Sequence, residues 1–127
     1  MSRLRNPLAN AHNHGSAGDG VAHWWAQRFT AILLVPLTLW LVWAAFVLIG
    51  ADHAAASQWL GRPWNAAMAI LFVAATFYHT KLGLQVVVED YVHQRGVEFA
   101  LQVLISAGAL VGALVSILAI LKIAIGT

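Results

Sequence analysis

The sequence predicts an all-α integral membrane protein, with three transmembrane helices that form part of a helical bundle completed by a partner subunit. Three observations lead there. Hydrophobic residues make up 61% of the 127 and charged residues only 9%, whereas ordinary globular chains carry about 25% charged residues. A domain of 13.7 kDa has too small an interior to hide such an excess, so lipid must cover it, as the mean hydropathy of +0.75 also indicates. The apolar residues, finally, gather into three runs of membrane-crossing length.

The same balance excludes a soluble enzyme. Seven Lys and Arg against five acids give a net charge of +2, too small a margin for a nucleic-acid-binding patch. The chain has no cysteine, which excludes a disulfide framework, a Cys-ligated zinc and an iron–sulfur cluster on this chain. Any metal centre must rest on the six His.

Taken in order, residues 1–20 are expected to be a flexible, solvent-side tail, with Arg3, Arg5 and Asp19 and no apolar run of the kind a secretory leader needs. Residues 21–127 are expected to be a single three-helix membrane domain. Its first span, 29–49 (FTAILLVPLTLWLVWAAFVLI), is uncharged and just long enough for a ~30 Å hydrocarbon core. Pro36 lies inside it and predicts a kink. Residues 50–63 read as a short polar turn closed by Gly61-Arg62-Pro63. The second span, 64–88, carries Tyr78, His79, Thr80, Lys81 and Gln85 in its last third. The third, 97–125, places Gly108, Gly112 and Ser116 at four-residue spacing, a pattern that lets helices approach closely.

With three spans the amino terminus and the loop after residue 88 share one side, which collects Arg3, Arg5, Arg28 and Arg95; the other has Arg62 and Lys122. The positive-inside rule puts the amino terminus in the cytoplasm. Trp24, Trp25, Trp59 and Trp64 precede spans and suit interfacial belts.

An ionisable residue inside a span is costly and is a functional hypothesis by default. His79 lies about 22 Å along the helix from Trp64 and about 16 Å from Asp90. At that depth its imidazole either bonds another helix or ligates a haem iron. Gly83, one turn on, offers room for a flat macrocycle or a helix. Glu89 and Asp90 oppose the helix dipole, so something other than helix stability favours them. Asp90 lies on nearly the same face as His79, three turns on, and Tyr91 supplies a phenol; together they suit proton delivery and hydrogen bonding at a quinone, or else begin a solvated loop. Arg28 either fixes topology or pairs with a carboxylate such as a haem propionate, and Lys81 is expected to snorkel from roughly the face opposite His79. His12, His14, His23, His53 and His93 lie outside the spans and form no H-x-x-x-H pair.

The opening GVAHWWAQRFTAI (20–32), the three spans and FYHTKLGLQVVVEDYV (77–92) together resemble the hydrophobic membrane anchor of succinate dehydrogenase, respiratory complex II, in its alphaproteobacterial form. The resemblance runs from about Gly20 onward. It implies that His79 is an axial ligand of haem b, the other coming from a partner cytochrome b556 subunit. It further implies that Tyr91 hydrogen-bonds ubiquinone, that Asp90 lies in the proton path, that Arg28 lies near the haem propionates, and that Gly83 gives close approach. The implied partners are the cytochrome b556, iron–sulfur and flavoprotein subunits, in a bacterial inner membrane. The chain would be a non-catalytic anchor that helps pass electrons from succinate to quinone. A fumarate reductase anchor and a non-redox three-span scaffold are the alternatives, and Lys81 departs from the apolar residue the pattern implies.

Overall fold

The computed structural model describes residues 16–126. They form four helices: α1 (Ser16–Leu48), α2 (His53–Leu60), α3 (Pro63–Tyr91) and α4 (Arg95–Ile125). Helices α1, α3 and α4 are long and apolar enough to cross a membrane, as the three hydrophobic runs predict. They have 33, 29 and 31 residues, or about 44–50 Å at 1.5 Å per residue, so each outruns the ~30 Å hydrocarbon core and reaches into the headgroup layers. Hydropathy marks the part of a helix that lies in lipid, while backbone hydrogen bonding carries it further.

That difference moves the first boundary. Residues 16–20, expected in the tail, are the first turns of α1, and residues 1–15, with His12 and His14, lie outside the described residues. Helix α1 then runs unbroken past Pro36 to Leu48.

The connection at 50–63 differs more. In place of a simple turn it holds α2, whose first turn is capped by Asp52: its Oδ1 accepts from the Ala55 N–H at 2.8 Å. Gly50, at φ +77°, makes the preceding turn in the left-handed region that disfavours a side chain. Trp59 stacks on Trp40 of α1 with centroids 5.8 Å apart and lies 6.4 Å from Trp43, so it packs against the end of the first span. Asn65, buried in the first turn of α3, donates from Nδ2 to the Trp59 carbonyl at 2.9 Å. Pro63 opens α3 at a position where no N–H is required.

Helix α3 is the middle of a row, packed against α1 on one flank and α4 on the other. The buried apolar residues follow that order: Leu37 and Ala44 on α1, then Ala66, Ala75, Leu82 and Val88 on α3, with none on α4. Large side chains elsewhere stand bare, among them Ile32, Phe46 and Phe99, each at least 70% exposed, as expected where lipid and other chains supply the contacts.

The small-residue stripe works at one position. At Gly112 the ring of Phe77 fills the space that a side chain would take, and an added Cβ would come within 2.5 Å of it; at Gly108 an added Cβ meets nothing within 4 Å. Gly112→Leu is therefore expected to destabilise the α3–α4 contact by about 1–3 kcal/mol, the usual cost of overpacking, and Gly108→Leu to leave it unchanged. Thermal unfolding of both variants in detergent checks this, and equal melting temperatures would contradict the assignment.

Candidate functional site

His79 sits on α3, in the half nearer Tyr91, and is half-buried against α1. The α1 residue it meets is Thr30, 6% exposed, whose Oγ1 is 2.8 Å from His79 Nδ1. The same hydroxyl lies 2.8 Å from the Ala26 carbonyl and 3.0 Å from that of Gln27. His79 Nε2 has no hydrogen-bond partner among the described residues, yet it is not sealed inside the chain. One ring nitrogen is thus held by the neighbouring helix, and the other is left open toward whatever packs beside the row.

This contact follows from helix geometry. Four residues on from His79, Gly83 also faces α1, and four residues before Thr30 lies Ala26, with Gln27 next to it. An added Cβ at Gly83 would lie 3.9 Å from Gln27 Nε2, an ordinary contact, so α1 alone does not require a glycine there. Gln27 Oε1 and His23 Nε2 are buried without a partner among the described residues. A polar seam therefore runs along α1 from His23 through Gln27 to Thr30, in a span otherwise rich in apolar side chains.

The remaining sequence-predicted residues are not drawn into contact with His79. Asp90 and Tyr91 end α3 and are exposed, Tyr91 by 78%. Eleven residues from His79 leave Asp90 near its face, while Tyr91 points about 120° away from His79 at 100° per residue. Glu89 is engaged, its Oε1 accepting from Gln85 Nε2 at 3.3 Å. Arg28 is exposed, with its guanidinium carbon 5.4 Å from the Trp24 ring centroid one turn earlier, a cation–π contact that orients it on the surface of α1, more than three turns in from Ser16. Lys81 places its Nζ 5.9 Å from the Tyr78 ring and lines a groove between α3 and α4 with Phe77 and Ala109, away from the α1 flank where His79 lies. Among the described residues no three His, Asp or Glu side chains converge.

Sequence reasoning misses Thr30. It stands in the quoted 20–32 stretch, two residues past Arg28, but a Thr in an apolar span has a routine role in bonding its own helix. Only the register of α1 against α3 brings it to His79.

The chain is similar to named proteins of one kind. Over 89 residues it is 39% identical to the succinate dehydrogenase hydrophobic membrane anchor subunit of Rickettsia bellii, covering 70% of this chain and 71% of that one. It is 36% identical over 78 residues to the succinate dehydrogenase membrane anchor subunit of Reclinomonas americana, with coverages of 59% and 65%. It is 30% identical over 89 residues to the corresponding hydrophobic anchor subunit of Paracoccus denitrificans, with coverages of 70% and 69%. No solved structure matches the chain significantly. Residues 2–122, which include His79 and nearly all of the three spans, match a whole-family description, and the chain belongs to the succinate dehydrogenase/fumarate reductase transmembrane subunit family.

Proposed function

We propose that this chain is the anchor subunit of a succinate:quinone oxidoreductase and that His79 binds haem b from the anchor side. The observation that carries the haem reading is the split environment of the imidazole: Nδ1 is held by Thr30 at 2.8 Å, while Nε2 has no partner among the described residues. That arrangement would suit a ligand to the haem iron, since metal-bound His residues characteristically use the other ring nitrogen for a hydrogen bond that fixes the ring. One His supplies one ligand, and the second belongs to a partner cytochrome b556 subunit. When bound, the haem supplies one-electron transfer within the membrane.

Exposed side chains of α1 and α3 do the rest. Arg28, exposed on α1 beside Trp24, would pair with a haem propionate. The Tyr91 hydroxyl donates to a ubiquinone carbonyl, and Asp90 passes protons from water to the reduced oxygen. Tyr91 is 78% exposed, so a closed quinone pocket takes walls from other subunits, and the iron–sulfur and flavoprotein subunits stand on that same face. The charge bias makes it cytoplasmic, in a bacterial inner membrane. The seven curated relatives that match all carry succinate dehydrogenase in their names, which favours succinate oxidation over fumarate reduction.

The test is purification of the tagged chain in mild detergent, identification of the chains that come with it, and a reduced-minus-oxidised spectrum. Co-purifying flavoprotein and iron–sulfur subunits with a b-type absorption band are expected. A colourless preparation free of a flavoprotein would support a non-redox scaffold.

A further inference from the structure

We propose that Thr30 is a positioning residue that sets the tautomer of His79, a role that rests on His79 being the haem ligand. The Thr30 hydroxyl has one proton and three close neighbours: the carbonyl oxygens of Ala26 and Gln27 at 2.8 and 3.0 Å, and His79 Nδ1 at 2.8 Å. Carbonyls only accept. If the proton went to Nδ1, the threonine oxygen would face two carbonyl oxygens at contact distance with nothing between them, inside a buried site where such repulsion is poorly screened. Donated to the carbonyls of its own helix, it leaves the threonine oxygen as an acceptor, and Nδ1 then carries the proton that completes the third contact. A neutral imidazole has only one such proton, so Nε2 is bare and holds the lone pair that iron requires.

The anchoring is rigid for a reason visible in the residue type. Thr is β-branched and stiff at χ1, it is 6% exposed, and its hydroxyl is tied to its own helix. The α1–α3 pairing therefore fixes both the proton and the plane of the His79 ring before any iron arrives. A hydrogen bond from Nδ1–H also raises the basicity of Nε2, which favours the ferric state and lowers the potential of the haem.

The test uses the assembled complex carrying Thr30→Val, which keeps the shape and removes the hydroxyl, and Thr30→Ser, which keeps the hydroxyl. The readouts are the haem midpoint potential and the haem retained per complex. Thr30→Val is expected to raise the potential and to weaken haem retention by about 10–100-fold, the usual effect of losing such a partner, while Thr30→Ser stays close to the parent in both. If the Val variant fails to assemble, Thr30→Ala against Thr30→Ser isolates the hydroxyl in the same way. Equal shifts in the hydroxyl-bearing and hydroxyl-free variants, or an unmoved potential in Thr30→Val, overturn the role of Thr30. His79→Ala in parallel separates the two ideas: haem lost there with Thr30→Val unaltered removes only the positioning role, whereas haem kept in His79→Ala removes the ligand reading and this proposal with it.

Discussion

Replacing His79 by Ala is expected to strip the b-type haem from the complex while the subunits still assemble. Removing the imidazole takes away this chain's proposed ligand to the iron, and α3 carries no other His. The fold loses little, because Thr30 retains its bonds to the Ala26 and Gln27 carbonyls and no buried donor is orphaned on α1. The cost to the apoprotein is one hydrogen bond, about 1 kcal/mol, plus a small cavity. His79→Gln sharpens the result. Its amide can meet the Thr30 hydroxyl, so a purely structural histidine would be replaced with little effect, whereas a ligand would still be lost. Haem content and the difference spectrum of both variants decide the matter. A normal spectrum in His79→Gln would assign His79 to helix packing alone.

The parts of this molecule that are legible in the sequence are those governed by one-dimensional physics. Lipid demands about 20 apolar residues in a row for each crossing, and residues 29–49, 64–88 and 97–125 announce the three spans, each of which lies almost wholly inside a longer apolar helix. The family expected from the 20–32 and 77–92 stretches is the one that matches. What the sequence conceals depends on how helices meet. Eight residues of α2 are too few to show a hydrophobic period, and the aromatic contacts that dock it come from Trp40 and Trp43, well upstream in the chain. Asp52 before an Ala-rich run is the visible trace of its N-cap. Gly108 and Gly112 look alike in sequence, and only the placement of Phe77 separates them. Thr30 and His79 are 49 residues apart, and no spacing rule pairs them. Arg28, which by charge alone suits a carboxylate, lies over the Trp24 ring because residues four apart share a helical face.

Asp90→Asn is expected to lower succinate-to-quinone turnover on the order of 100-fold, the lower end of what a positioned proton donor contributes. Tyr91→Phe should lower it about 10-fold, as loss of one hydrogen bond to the quinone implies. Succinate oxidation by an artificial dye is expected to stay at the parental rate in both, because that route avoids the quinone site. The structure divides the two acids that the sequence presents as a pair. Glu89 is engaged by Gln85, whereas Asp90 is exposed at the last turn of α3, so Glu89→Gln should affect turnover far less. Stability supplies the opposing sign. An acid at a helix carboxyl terminus is unfavourable by about 0.3–1 kcal/mol, so Asp90→Asn relieves the helix and should leave the complex as stable as the parent or slightly more so. A residue held against the helix dipole, whose removal stabilises the fold and cripples quinone reduction, has its place through proton transfer. Parental turnover in Asp90→Asn, or parallel losses with quinone and dye, would instead make Asp90 part of the solvated start of the loop and transfer the proton path to another subunit.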